Sequence, residues 1–400
     1  MQAFVYDAVR TPFGRYGGAL AGARPDDLAA FVVAEQVRRA PNLDPALVDE
    51  VILGDANGAG EDNRDVARMA VLLAGLPLTV PGSTVNRLCG SSLEAAVQAA
   101  RAVETGDAEV VVAGGVESMS RAPWVVRKPE RAYPAGDADL VSSTLGWRLV
   151  NPRMAPEWTV SLGEATERLR EKHGITRERQ DEFALRSHRL AHAAWEAGRY
   201  DDLVTAYTGP GATPDPLARD EPIRPDTGTE TLATLRPSFR PDGTVTAGNA
   251  SPLTDGASAA LIGSERAAEL TGLTPLARIA GRAAVGNEPR YFGYAPVEAA
   301  HRALGRSGIE WDDVGAVELN EAFAAQALAC LDAWPIAPEI VNAWGGAIAV
   351  GHPLGASGTR VLATLARRMR SENVRWGVAA ICIGVGQGMA VVLENTDVTP

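Results

Sequence analysis

The sequence predicts an α/β protein made of two similar halves, with a long irregular segment set into the first. Three observations carry this. Short apolar runs alternate with helix-periodic stretches up to about residue 118. Between about 119 and 248 the texture changes, and Pro, Arg, Trp and Asp become frequent. From about 275 the first half returns as three runs in the same order.

Taken in order, residues 2–9 read as a strand, and 25–40 as an amphipathic helix with Pro25 at its start. Val51-Ile52-Leu53 is a second strand running into the loop Gly54-Asp55-Ala56-Asn57-Gly58, and a helix covers about 64–75. Residues 83–86 are extended and break at Cys89-Gly90; a helix follows, with apolar residues at Leu93, Ala96, Val97 and Ala100. Ser91 with Glu94 three residues later reads as a capping box, which starts that helix within a residue or two of Cys89. Glu109 to Gly115 is a buried strand ending in two glycines. In the irregular segment, helices are expected at about 161–172 and 177–197. The returning half repeats the pattern. Ala316 to Asn320 mirrors Val51 to Asn57, Ile340-Val341-Asn342 mirrors Thr84-Val85-Asn86, and Gly377 to Gly384 mirrors the strand ending at Gly115. The second copy carries an extra stretch, roughly Ile348 to Ala356.

Composition narrows the function. A hydrophobic content of 46% with 22% charged residues is that of a soluble globular chain. A net charge of −12 argues against nucleic acid or an anionic membrane as partner. Lys128 and Lys172 are the only lysines, both in charged surroundings, which disfavours Schiff-base or pyridoxal-phosphate chemistry. The three cysteines, Cys89, Cys330 and Cys382, are far apart and odd in number, as expected of a reducing cytoplasm. The N-terminal stretch has no basic region followed by an apolar core, so no signal peptide is expected, and no apolar run has the length of a membrane span.

Few residues carry chemistry. Cys89 at a helix start faces unpaired N–H groups and a positive dipole end, both of which favour thiolate; the plain alternative is a small buried hydrophobe. Of five histidines, His173, His188, His192 and His301 lie in helical, charged sequence and read as surface residues. His352 sits in the glycine-rich turn from Gly345 to Gly358, at the position matching the Cys89 turn; it is a base or an ordinary loop histidine. No Lys follows those glycines, so the stretch is not a Walker loop. Cys382 ends an apolar strand, and Gly384-Val385-Gly386-Gln387-Gly388 leads into another strand; a dinucleotide loop would lead into a helix. Asn320 at a strand end is a helix cap or a donor to an oxyanion. No paired-cysteine spacing suggests zinc. Arg121, Arg127, Lys128, Arg131, Arg148 and Arg153 form a basic cluster in the irregular segment, either solvated surface or a lid over a phosphate-bearing ligand.

Six stretches together resemble the thiolase family of acetyl-CoA acyltransferases. They are Asn86 to Ser91, Gly114 to Ser120, Thr246 to Ser251, Asn320 to Ala324, Gly345 to Gly358, and Cys382-Ile383-Gly384, collinear over almost the whole chain. The resemblance implies a five-layer αβαβα fold, with an N-terminal half of 1–118 and 249–272, a loop domain of 119–248 and a C-terminal half of 273–400. It implies Cys89 as nucleophile, His352 as its base, and Cys382 as the acid/base at the α-carbon of acetyl-CoA. Oxyanion sites would be formed by the N–H groups of Cys89 and Gly384, and by His352 with a water held by Asn320. Arg224, Thr231, Ala247, Ser251 and Ala322 would line the coenzyme A path, with Phe239 and Phe323 as tunnel walls. Acetyl-CoA, CoA and a 3-oxoacyl-CoA are the implied partners, with no cofactor or metal, in a cytoplasmic homodimer or homotetramer. A ketoacyl synthase-like condensing enzyme and a non-catalytic thiolase-like lipid carrier are the alternatives. Two departures stand out: Val385 where the family commonly has glycine, and Ser161-Leu162-Gly163 where short-chain biosynthetic members carry His-Met. Gly60 to Met69, Thr144 to Pro152 and Gly384 to Gly388 look more like bacterial 3-oxoadipyl-CoA thiolases.

Overall fold

Covered on both faces, the central strands are unbroken apolar runs. The computed structural model describes residues 1–398. The first half comprises β1 (Phe4–Arg10), β2 (Gly14–Arg15), α1 (Pro25–Arg38), β3 (Glu50–Asp55), α2 (Val66–Leu73), β4 (Gly82–Val85), α3 (Ser91–Thr105) and β5 (Val110–Ser118). Pro25 at the first position of α1 supplies a preset φ, and Asp26 and Asp27 sit at the positive dipole end. Asp65 caps α2 by accepting the Arg68 N–H. Gly106, at φ +86°, ends α3 in the left-handed conformation that glycine adopts without strain.

The intervening segment holds β6 (Trp124–Val126), β7 (Leu140–Ser142), α4 (Leu162–His173), α5 (Arg177–Glu196) and α6 (Thr229–Ala233). The chain then returns as β8 (Thr254–Gly263) and α7 (Ala267–Thr271). The second half comprises β9 (Ala277–Gly286), α8 (Ala295–Ser307), β10 (Val314–Leu319), α9 (Ala324–Leu331), α10 (Ala347–Val350), α11 (Ser357–Ser371), β11 (Trp376–Ile383) and β12 (Gln387–Glu394).

Strand order exposes the duplication. The first half runs β4-β3-β5-β8-β1 and the second runs β10-β11-β12-β9. Val341 bridges Val317 in parallel, occupying the place beside β10 that β4 holds beside β3. Each half therefore has parallel strands toward its free edge and two antiparallel pairings toward the junction between the halves. The strands of the two halves meet where Phe4 and Val5 pair with Arg278 and Ala277.

Alternation along the strands separates the layers. Val110 and Val112 pack with α1 and α2, whereas Val111 and Ala113 face α3. In the second half Val378 and Ala380 pack with α8 and α9, and Ala379 and Ile381 face inward to α3 and α11. The order is helices, sheet, helices, sheet, helices. Gly358 allows α11 to approach α3, since a Cβ there would meet the Leu93 amide nitrogen at 2.2 Å.

The intervening segment is tied down by buried charge. Arg10 on β1 makes a bidentate pair with Asp220 at 2.6 and 2.7 Å, and Trp195 Nε1 donates to the same carboxylate at 3.2 Å. Ser187 on α5 donates to the buried Glu321 at 2.6 Å. Such pairs hold position well, because removing one partner strands the other in a low-dielectric interior.

Candidate active site

Asn86 builds the turn that presents Cys89. Its Oδ1 accepts the Leu88 N–H at 2.9 Å and its Nδ2 donates to the Ala56 carbonyl at 2.9 Å, fixing the chain between β4 and α3. Leu88 takes φ +49°, an unusual conformation for a side-chain-bearing residue and one found at functional turns. Helix α3 begins where expected, but the capping box does not form: Ser91 Oγ serves Arg87 N and Leu88 O, while Glu94 pairs with Arg87. Cys89 is buried and shares a cavity lining with Gly384; the backbone amides of Gly384 and of Cys89 itself act to favour its thiolate. Burial pushes the thiol up to about 11, against the lowering by those amides, and the charge of Glu117 adds to the rise. Desolvation thus outweighs the pull of the helix start toward thiolate.

His352 is fixed on every side. Its backbone N–H donates to Thr254 Oγ1 at 3.1 Å, and ring Nδ1 meets Ser357 Oγ at 2.5 Å. Ser357 gives its own proton to the Pro353 carbonyl, so it accepts from Nδ1–H and leaves Nε2 with a lone pair. Asn320 Nδ2 lies 3.3 Å from Nε2, and Asn320 Oδ1 accepts from Arg360 Nη2 at 2.7 Å, which settles the amide's orientation. Burial lowers the imidazole to about 3, helped by the Arg360 charge, so His352 is neutral.

Cys382 is fully buried two residues beyond Ala380, which pairs with Leu319 just before Asn320. Asn320 and Cys382 therefore share the carboxyl ends of adjacent parallel strands, the usual place for chemistry in such sheets. Burial holds the Cys382 thiol far above its ordinary value, and a charge on Cys89 would raise it further. Gly384 begins the β11–β12 turn, in which Val385 takes φ +67° and Gly386 +75°.

A cavity opens on Cys89 and Gly384, walled by Val385, Leu162, Trp147 and Arg148 among others. His352, Asn320 and Cys382 lie outside its lining. The other expected residues divide. Arg224 and Ala247 line a separate cleft, where His188 Nδ1 accepts the Arg224 N–H at 3.2 Å. His188 is buried, correcting its reading as a surface residue, and burial lowers it to about 4. Thr231 is exposed on α6 outside that cleft, although its neighbour Leu232 lines it. Ser251 donates through N and Oγ to the Ala322 carbonyl at 3.0 and 3.1 Å. The rings of Phe239 and Phe323 meet edge-on at 6.2 Å, and Ala322 and Phe323 share an apolar cluster with Cys382.

The basic cluster separates too. Arg121 pairs with Glu61, Arg127, Lys128 and Arg131 line an outer cleft with Asp137 and Asp139, and Arg148 alone reaches the Cys89 cavity. Sequence reasoning missed Thr254, Ser357, Arg360 and Glu117. Glu117 accepts the N–H groups of Ala56 and Gly355 at 3.1 and 2.9 Å, linking the two turns that carry the site. Ser357 lay within a motif already noted; Arg360 offered only its place on the buried face of α11.

The family descriptions "Thiolase, N-terminal domain" and "Thiolase, C-terminal domain" match residues 3–266 and 273–395. The chain is 48% identical over 399 residues to a beta-ketoadipyl-CoA thiolase of Escherichia coli, covering 98% of this chain and 99% of that one. It is 47% identical over 398 residues to a beta-ketoadipyl-CoA thiolase of Pseudomonas aeruginosa, with the same coverage of 98% and 99%. Among solved structures, human mitochondrial 3-ketoacyl-CoA thiolase in complex with CoA superposes with TM-score 0.92 at 38% identity, covering 98% of each chain. Bacillus anthracis acetyl-CoA acetyltransferase gives 0.90 at 38%, also over 98% of each.

Proposed function

The chain belongs to the thiolase family, and from that premise we propose that it cleaves a 3-oxoacyl-CoA, or forms one, through an acyl thioester on Cys89. In thiolysis His352 Nε2 takes the Cys89 proton as Sγ attacks the 3-oxo carbon. The C2–C3 bond then breaks, and Cys382 gives its proton to the acetyl-CoA enolate. Free CoA attacks the acyl group on Cys89 while the Cys382 thiolate receives its proton; acyl-CoA is released, and the departing Cys89 sulfur recovers its proton from His352. Once protonated, His352 donates from Nε2, which suits it to steady the enolate oxygen beside a water held by Asn320. The acyl oxyanion is met by the N–H groups of Cys89 and Gly384. Losing one such donor would cost about 3 kcal/mol of barrier, and each acid/base about 10²–10⁴ in rate.

The observation that carries this reading is the cavity that Cys89 and Gly384 line together. Arg224, Thr231, Ala247, Ser251 and Ala322, with Phe239 and Phe323, are proposed along the coenzyme A path. The substrate is 3-oxoadipyl-CoA or acetoacetyl-CoA, with the relatives' names favouring the former. The chemistry uses thiols and an imidazole and calls for no metal or cofactor. The division into 1–118 with 249–272, 119–248 and 273–400 is proposed with it, as is a cytoplasmic setting, in keeping with three unbridged cysteines. No helix among the described residues is long and apolar enough to cross a membrane. A homodimer or homotetramer is supported by β4, which ends the sheet beside exposed Leu72, Leu73 and Leu78. Incubation with acetyl-CoA followed by peptide mass analysis tests the reading: an acetyl adduct on the Cys89 peptide, removed by free CoA, is expected. An adduct elsewhere, or none, would refute it.

A further inference from the structure

Arg148 is the one cation among the residues lining the cavity that opens on Cys89. It comes from the intervening segment, whose other arginines are often neutralised: Arg121 by Glu61, Arg170 by Glu167, Arg177 by Asp181, Arg240 by Glu164 and Glu171. Arg148 has no carboxylate within ion-pair distance among the described residues. Its two terminal nitrogens instead donate to carbonyl oxygens, Nη1 to Ser143 at 3.3 Å and Nη2 to Asn57 at 3.1 Å. The guanidinium is therefore held in place but keeps its charge. Its nearest acidic neighbour on the cavity wall is Glu117, whose Oε2 is already engaged by two backbone N–H groups.

The rest of the wall is largely apolar, with Leu145, Trp147, Leu162, Leu354 and Val385 facing the same space. A carboxylate entering such a space needs a fixed cation to offset its lost hydration, whereas an alkyl end would sit against an unmatched charge. Both effects favour one kind of acyl chain. We propose that Arg148 is the specificity-determining residue of this cavity, receiving the terminal carboxylate of a short dicarboxylic acyl group attached to Cys89. The inference rests on the reading of Cys89 as acyl carrier and names the substrate class of that site. The inserted segment thereby gains a distinct role, selecting the chain on which the two halves perform the chemistry.

The test compares 3-oxoadipyl-CoA with 3-oxohexanoyl-CoA, which has the same number of carbons but ends in methyl. The ratio of their kcat/KM values is measured for the wild type, Arg148→Gln and Arg148→Lys. Loss of one charge-assisted pair should lower that ratio roughly ten- to a hundredfold in Arg148→Gln. Arg148→Lys, with charge but no planar fork, should fall between. A proportional loss on both substrates, or an unchanged ratio, overturns the inference. A second measurement is independent of how the variants fold: wild-type protein offered succinyl-CoA and butyryl-CoA in equal amounts should acylate Cys89 mainly with the carboxylate-bearing chain, and equal acylation overturns the inference. Wild-type protein that acylates Cys89 with neither donor and cleaves neither 3-oxo substrate would bring down the Cys89 reading itself, an outcome distinct from lost selectivity.

Discussion

Cys89 and His352 are each buried more deeply than their charged forms tolerate. With the thiol raised to about 11 and the imidazole lowered to about 3, neither is ionised near neutrality. The sign follows directly: below a raised thiol pKa, the reactive thiolate grows about tenfold for each unit of pH. Alkylation of Cys89 by iodoacetamide should therefore climb steadily between pH 6 and 9. A plateau in that range would mean a standing thiolate–imidazolium pair and would contradict the account. Part of this was legible beforehand. Cys89, His352, Asn320 and Cys382 stand out because each ends a strand or occupies a glycine turn. Their protonation did not, since burial depends on residues such as Leu354 and Arg360 that only the folded chain brings near. His188 escaped for the same reason: its charged sequence neighbours face solvent while the imidazole turns inward.

Among elements, the hairpin joining β11 to β12 shows most clearly what was and was not readable. That a strand would follow Gly384-Val385-Gly386 was plain from the apolar run from Met389 to Leu393, and it excluded a dinucleotide loop. What the letters did not reveal is that Val385 occupies a left-handed position, φ +67°, with 38% of its surface exposed. A β-branched residue there is strained by about 1–2 kcal/mol, and glycine's larger unfolded-state entropy offsets about 0.5–1 kcal/mol. Val385→Gly should thus stabilise the protein by up to about 1.5 kcal/mol, read as a higher midpoint of thermal unfolding. A lower midpoint would show that contacts of the isopropyl group outweigh the strain. The missing capping box at α3 teaches a related lesson. Ser91 and Glu94 have the right spacing, but Ser91 is already inside the helix, where its hydroxyl closes the Cys89 turn instead.

At the scale of the whole molecule, the duplication was visible because three runs recur in order, and the strand pairing of each half repeats that order. The junction through Phe4 and Val5 was not visible, since edge-to-edge pairing leaves no periodic mark. Nor was the presence of two separate clefts, one reaching Cys89 and the other Arg224. The exposed edge at β4 belongs to this scale. Sedimentation should give a dimer or tetramer, and replacing Leu72 and Leu73 by Asp should shift it toward monomer; a monomeric wild type would end that proposal. The most direct test of the central claim is thiolysis of 3-oxoadipyl-CoA by Cys89→Ala beside the wild type. The account predicts turnover by the wild type and a loss of about 10⁴-fold or more in the variant, because no other thiol among the described residues lines the cavity. A variant that still cleaves the substrate at a comparable rate would contradict it.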